Sequence, residues 1–133
     1  MTTEKDTKRS EQQAKAQLDS ITEMVAGLDQ AISRDDETAR EEAVTRIEED
    51  ALEVAIRTDW HIPGETGDEA EYKVLLCTGG PAVRIVGELD EHRDPTNATL
   101  EHQDWGTPWT PYPLTSDEED TVLKYCRVFY FGA

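Results

Sequence analysis

The stretch YKVLLCTGGPAVRIVGELD, from Tyr72 to Asp90, decides the fold. It consists of two runs in which apolar residues alternate with polar ones, joined by the turn Gly79-Gly80-Pro81. Alternation with a period of two is typical of half-buried strands, and adjacent glycines supply the positive φ angles that a tight hairpin turn needs. The stretch therefore predicts an antiparallel hairpin with arms at Glu71–Thr78 and Ala82–Asp90.

The two glycines raise one alternative, a loop that binds phosphate. Such a loop leads from a strand into a helix, whose N-terminal N–H groups face the anion. The segment after Pro81 is instead rich in the β-branched residues that favour strands, and no lysine stands at the spacing of a P-loop. The hairpin is therefore the better interpretation.

Two further strands flank this hairpin. Apolar residues alternate with charged ones at Leu52, Val54, Ile56 and Trp60, which predicts a half-buried strand, and residues 98–105 form the fourth strand. Turn residues rather than helices separate successive strands, so the sheet is predicted to be an antiparallel meander. The segment GTPWTPYP at residues 106–113 contains three prolines and can be neither a regular helix nor a central strand.

Helical periodicity occurs on both sides of the sheet. Before it, Asp35 or Asp36 is placed to cap the second helix of a pair, and after it Thr115 or Ser116 precedes an acidic first turn. The first helix carries an apolar seam with a mean period of about 3.5 residues, formed by Ala14, Leu18, Ile21, Val25, Leu28 and Ile32. The chain is predicted to be α+β: an N-terminal helical hairpin, a four-stranded antiparallel β-meander and a C-terminal helix packed on the sheet.

These elements divide the chain into three parts. Residues 1–11 are predicted to be a disordered tail, residues 12–51 a helical extension, and residues 52–133 the sheet with the C-terminal helix. The seam leaves one question open. It closes either within the chain or against a second copy, which would give a homodimer through residues 14–32.

Charge narrows the choice of partner. The net charge is −17, with 14 acids and 7 bases in residues 1–50 and 16 acids and 6 bases in residues 51–133. A surface that binds nucleic acid or an anionic membrane needs clustered Lys and Arg, and none is visible. The composition therefore disfavours direct contact with nucleic acid or membrane and favours a basic protein partner.

The chain shows no secretory signal and no apolar run of the roughly 20 residues that span a membrane. Its two cysteines, Cys77 and Cys126, are far apart in sequence and are expected to stay reduced. The expected location is the cytoplasm of the cell in which the protein acts.

Catalytic and metal-binding patterns are weak. Cys77 has no base among its sequence neighbours, and a cysteine on a strand is usually a small core residue. His102 and Asp104 lie on one face of a strand, as two metal ligands would, but two ligands do not make a site. We therefore predict that the protein is not an enzyme and needs no cofactor or metal.

The segment QDWGTPWTPY, residues 103–112, is the best candidate for a functional surface. Its aromatic residues Trp105, Trp109 and Tyr112 either fold back as a lid on the sheet edge or project as anchors for a partner, with Arg84 or Arg93 beside them. Acidic residues lie close to these three aromatic residues, either in the sequence or along the predicted sheet. The predicted partner-binding residues are Trp105, Trp109, Tyr112, Asp104, Glu88, Asp90 and Glu91.

Three segments together resemble a known group of proteins. LLCTGGPAVRIVGELD, QDWGTPWT and YCRVFYFG are similar to the fingerprint of a family of small, acidic, uncharacterised proteins of bacteriophages and prophages, over roughly residues 50–133. No catalytic residues carry over from that family. The resemblance implies a cytosolic phage protein, and such proteins often look like inhibitors of host defence, including anti-CRISPR proteins.

Two functions follow as expectations. The first is an acidic binding protein that inhibits a host nucleoprotein, such as a CRISPR effector, by occupying its basic nucleic-acid-binding surface. The second is a self-associating structural or adaptor module without inhibitory activity. An enzyme that uses Cys77 or His102 is the least favoured interpretation.

Overall fold

The computed structural model describes residues 4–58, 60, 62–64 and 70–131, with side chains from residue 8 onward. Three helices accompany a five-stranded antiparallel sheet. In chain order the elements are α1 (Glu4–Ser33), α2 (Glu37–Asp50), β1 (Glu53–Thr58), β2 (Ala70–Cys77), β3 (Ala82–Leu89), β4 (Thr99–Gln103), β5 (Thr110–Tyr112) and α3 (Ser116–Cys126).

The sheet is a meander in which each strand pairs with the next, in the order β1-β2-β3-β4-β5. The hairpin predicted from residues 72–90 is β2 and β3, with Val74 opposite Ile85 and a register irregularity between Leu75 and Cys77. Gly79 has a φ of 115°, so the turn uses the left-handed conformation that glycine adopts without strain. The α+β class and the antiparallel sheet are confirmed.

The prediction of four strands is wrong by one. Residues 110–112 form β5, which pairs with β4 so that Pro111 lies opposite Glu101. Proline is tolerated there because β5 is an edge strand. The missing N–H of Pro111 therefore removes no hydrogen bond between two central strands. Within the proline-rich segment, residues 106–109 and Pro113 are therefore irregular, and the three residues between them form a strand.

The first helix begins earlier than the sequence suggests. The disordered tail predicted for residues 1–11 differs from the structure over residues 4–11, where α1 is already helical, and residues 1–3 lie outside the described part. Arg9 and Ser10 contact β4 and its end through Asp104 and His102, which gives this polar start of the helix tertiary partners.

The apolar seam of α1 closes within the chain. Its members from Ala14 to Leu28 are buried, and only Ile32, at the end of the helix, is exposed. α1 packs against α2 and α3 and also against β3 and β4, so helices and sheet share one hydrophobic core. The helical segment over residues 12–51 is therefore part of the same core as the sheet, and residues 14–28 offer no free apolar stripe for a second copy.

Helix caps lie where local signals place them. Asp36, rather than Asp35, caps α2 by accepting a hydrogen bond from the Ala39 N–H at 3.1 Å. Thr115 caps α3 in a reciprocal capping box with Glu118. The buried side of α3 reaches the sheet, since the Cys126 thiol neighbours the hydroxyl of Tyr72.

Candidate partner-binding surfaces

The three aromatic residues of the predicted site occupy different environments. Trp105 is 81 % exposed. Trp109 is half-buried beneath the guanidinium of Arg84, whose central carbon lies 4.0 Å from the ring centroid. Tyr112 is half-buried against the core and meets the ring of His102 edge-on at 6.5 Å. Only Trp105 therefore projects as a partner anchor would, while Trp109 and Tyr112 cover the edge of the sheet.

Asp104 is occupied by contacts within the protein. Its buried carboxylate accepts two hydrogen bonds from the Arg9 guanidinium, at 2.8 and 3.0 Å, and one from the Trp105 N–H at 2.8 Å. The Arg9 hydrogen bonds and that of Trp105 lower the pKa of Asp104. The carboxylate consequently fastens α1 to the end of β4 and presents little charge to a partner.

His102 and Ser10 form a second buried contact beside this ion pair. The Oγ of Ser10 lies 2.8 Å from the Nδ1 of His102, and both residues are buried. Burial lowers the pKa of His102, so its ring is neutral at physiological pH. A nucleophilic serine must be reached by substrate, and Ser10 is enclosed. The contact is therefore structural.

Neither thiol has the surroundings of a nucleophile. Burial raises the pKa of Cys77, and it raises the pKa of Cys126 to about 12. Both are consequently protonated near neutral pH, whereas the thiolate is the reactive species. Within the described part of the chain, no group of three or more His, Cys, Asp or Glu side chains is placed to hold a metal ion.

Three of the four acidic residues of the predicted site lie at the end of the sheet opposite to Asp104 and Trp105. Glu88 is the penultimate residue of β3 and Asp90 and Glu91 follow that strand, whereas Asp104 and Trp105 follow the end of β4, and these strands are antiparallel. Glu88 lies six positions along β3 from Ala82, which pairs with Gln103, a distance of roughly 20 Å at the rise of a strand. The structure thus divides the predicted site into two distant groups.

Asp90 also has a role inside its own loop. Its Oδ1 accepts hydrogen bonds from the N–H groups of Asp94, at 3.0 Å, and His92, at 2.8 Å. The Asp94 N–H makes the larger contribution to lowering the pKa of Asp90. Glu88 and Glu91 are the exposed acids of this group, and their neighbours lie further away: Asn97 Nδ2 is 3.4 Å from Glu88, and His92 Nε2 is 3.4 Å from Glu91.

A larger acidic surface lies on α2, where the site prediction placed no residue. Residues 35–50 contain eight acids and two arginines, a local net charge of −6. The five glutamates of the helix are all exposed, and a shallow groove runs beside Glu41, Glu42 and Glu49. The density of acids between residues 35 and 50 is the sequence signal for this surface.

Cations on the sheet are paired with acids across neighbouring strands. Arg57 bonds to Glu71 at 2.9 Å, and Arg84 bonds to Glu101 at 2.8 Å. Lys73 lies 3.7 Å from Glu53. These cross-strand pairs neutralise the positive charges on the face of the sheet that the helices do not cover. The excess acids lie elsewhere, including on α2, and face solvent.

Strand β1 is less buried than its alternating pattern predicts. Leu52, Val54 and Ile56 are 59 %, 37 % and 43 % exposed, so the expectation of a half-buried strand is wrong. Val54 and Ile56 lie opposite the buried Val74 and Tyr72, on the face that the helices cover. The helical layer packs on β3 and β4 and ends before β1, which leaves this part of the apolar face open.

No family model, curated protein or solved structure matches the chain. Among the described residues, no helix is long and apolar enough to cross a membrane. The resemblance to phage proteins therefore stays a prediction.

Proposed function

We propose that the protein is a non-enzymatic inhibitor that occupies the basic nucleic-acid-binding surface of a host defence nucleoprotein, of the kind that anti-CRISPR proteins block. The observation that supports this proposal is the acidic outer side of α2. Its five glutamate carboxylates are exposed, they belong to one helix, and the helix carries only two arginines to match them.

The spacing of these carboxylates suits a surface that normally holds a nucleic-acid backbone. Glu41 and Glu42 are followed seven residues later by Glu48 and Glu49, which is two helical turns or about 10.5 Å. Three base pairs of duplex rise about 10 Å along each strand. Doublets of acids therefore recur along α2 at an interval close to the rise of every third phosphate along one strand.

Electrostatics would act both before and after contact. A chain of net charge −17 is attracted to a basic channel over about a Debye length, which raises the association rate. Once bound, the carboxylates would pair with the Lys and Arg that otherwise hold phosphates, and nucleic acid would be excluded. Trp105 is the candidate apolar anchor of the same proposal, because it is the exposed aromatic residue at the end of β4.

The test is competition against nucleic acid on purified CRISPR effectors assembled with their guide RNA. Binding of target DNA is measured with increasing protein, at about 0.15 M and about 0.5 M NaCl. Inhibition that weakens at the higher salt supports the proposal. Failure to inhibit any effector of a panel spanning the known types would overturn it.

Two matched variants locate the surface. The first neutralises α2 through Glu37→Gln, Glu41→Gln, Glu42→Gln, Glu48→Gln and Glu49→Gln. The second removes the same number of exposed charges elsewhere through Asp19→Asn, Glu23→Gln, Asp94→Asn, Asp117→Asn and Asp120→Asn. The α2 variant is expected to lose at least about tenfold in inhibitory potency and the control about twofold or less. Equal losses would show that total charge rather than α2 is responsible.

A further inference from the structure

The surface around β1 is the most apolar part of the exposed molecule. Five of the eight large hydrophobic side chains that are exposed among the described residues fall between residues 52 and 62. They are Leu52, Val54, Ile56, Trp60 and Ile62. An exposed apolar cluster on an edge strand marks an interaction surface, since monomers usually protect such edges.

The outer edge of β1 is open to pairing. β1 stands at the end of the sheet, its six residues contain no proline, and no register irregularity interrupts its pairing with β2. Within the described part of the chain, no other strand pairs with its outer side. Such an edge can accept an antiparallel strand of matching pattern.

The sequence of β1 is complementary to itself. When two copies of β1 run antiparallel with Ala55 opposite Ala55, Glu53 of each copy faces Arg57 of the other. In the same register Val54 faces Ile56, again twice. Opposite charges and β-branched residues placed directly across neighbouring strands both stabilise pairing.

Other registers lose this match. A shift by one residue would set the apolar side of one copy against the charged side of the other. A shift by two residues keeps the faces aligned, but it places Arg57 opposite Ala55 or Glu53 opposite Ala55 and breaks both charge pairs. One register alone therefore satisfies the apolar and the charged side together.

We propose that the protein forms a two-fold symmetric dimer through β1, registered on Ala55, which joins two sheets into one of ten strands. In this dimer Val54 and Ile56 of both copies continue the apolar face formed by Val74 and Tyr72 of each sheet. The partner of this surface is a second copy of the chain. The proposal does not depend on the inhibitory function or on its target.

The charge of the molecule does not forbid this contact, because β1 itself is neutral. It carries one acid, Glu53, and one base, Arg57, while the excess of acids lies on other elements such as α2. Repulsion between two chains of net charge −17 acts at longer range and is screened by salt. Dimerisation is therefore expected to strengthen between about 0.02 M and about 0.15 M NaCl, in contrast to binding of a basic partner, which weakens.

Sedimentation velocity over a series of protein concentrations tests the dimer directly. The weight-average mass is expected to rise from 15.0 kDa toward twice that value as concentration increases at about 0.15 M NaCl. Glu53→Arg places Arg opposite Arg, and Arg57→Glu places Glu opposite Glu, so each variant alone is expected to remain monomeric at concentrations where the wild type is a dimer. The Arg57 side chain is 78 % exposed and that of Glu53 is 53 % exposed, so each replacement removes only a surface ion pair with Glu71 or Lys73 on β2 and is expected to leave the monomer folded.

The decisive experiment is sedimentation of the two variants mixed together. In a mixed pair, the two arginines on β1 of the Glu53→Arg copy would face the two glutamates on β1 of the Arg57→Glu copy, so association is expected to return. The control pair Glu91→Arg and Arg34→Glu changes net charge equally, away from β1, and should dimerise like the wild type. A wild type that stays monomeric at all concentrations, or variants that associate no better mixed than alone, would overturn the proposal.

Discussion

At the scale of single residues, Gly87 shows how closely the loop before β4 packs on the sheet. A Cβ atom at this position would meet the carbonyl oxygen of Asn97 and would lie 2.7 Å from a ring carbon of Tyr72. The Tyr72 hydroxyl donates a hydrogen bond of 2.6 Å to that same carbonyl, so the two neighbours hold each other in place. Glycine is required at residue 87 for lack of space rather than for its φ angle.

Gly87→Ala is therefore expected to lower the free energy of unfolding by about 1–3 kcal/mol, the usual effect of overpacking. Gly80→Ala is the matched control, because its Cβ would meet no heavy atom within 4 Å and its φ lies outside the left-handed region. The control should be neutral or stabilising by up to about 1 kcal/mol. Urea denaturation measures both variants, and equal effects at the two positions would contradict this account.

His102 makes stability depend on pH. Burial is the main cause of its lowered pKa, and the negative charge of Glu11 opposes the shift. In the unfolded chain the imidazole takes up a proton near pH 6.5, its ordinary value. Below that pH the unfolded state binds more protons than the native state, so the free energy of unfolding falls as the pH falls toward the native pKa.

The variant His102→Gln isolates this contribution. Both proteins share every other titrating group, so the stability of the wild type minus that of the variant should be largest near neutral pH and should shrink as the pH drops below about 6.5. Urea denaturation at several pH values gives the difference. A difference that stays constant with pH would mean that the buried ring of His102 titrates as it does in the unfolded chain.

At the scale of elements, the parts that could be predicted are those with local signals. Alternation and a glycine turn are enough to predict the β2–β3 hairpin, and the sequence from Thr115 to Glu118 is enough to predict the start of α3. In each case the residues that determine the element are its own or those next to it. Propensity and capping therefore act before any tertiary contact is known.

The elements that were missed depend on distant contacts. The first turns of α1 are polar, and they are fixed by bonds from Arg9 and Ser10 to residues more than 90 positions away. β5 is three residues long and contains Pro111, so its only signal is the neighbouring strand β4. Neither contact leaves a pattern within the segment itself.

The candidate site was predictable in part for the same reason. Trp105 is exposed, but Asp104 and Asp90 are engaged by neighbouring groups that sequence spacing does not reveal. The exposure of Val54 and Ile56 was also hidden, because alternation states which side of a strand is apolar and not whether a helix covers it. Whether helices cover the apolar side of a strand depends on how the whole helical layer packs, which the strand's own sequence does not show.

At the scale of the whole molecule, charge and apolar surface are separated. The five glutamates of α2 face solvent without an equal number of cations, whereas β1 is locally neutral and apolar on one side. The two proposals use these different surfaces and predict opposite responses to salt. Two copies joined at β1 would carry two α2 helices, and a partner with two basic sites would then bind with higher avidity.

Net charge should also limit the stability of the monomer. A compact chain of charge −17 repels itself more strongly than the expanded unfolded chain does, and salt screens that repulsion. We therefore expect the free energy of unfolding to rise as NaCl increases from about 0.02 M to about 0.3 M. Urea is the suitable denaturant because it is uncharged, and the protein concentration should be one at which sedimentation shows a monomer.

The α2 variant with five glutamates changed to glutamine has a net charge of −12 instead of −17, and it is expected to retain the fold because these five side chains are exposed. Its stability should rise less with salt than that of the wild type, because less repulsion remains to be screened. The control with five neutralised acids elsewhere has the same net charge. A smaller salt effect in the α2 variant than in this control would show that repulsion is concentrated on α2, whereas stability that falls with salt in the wild type would contradict the role given to its charge.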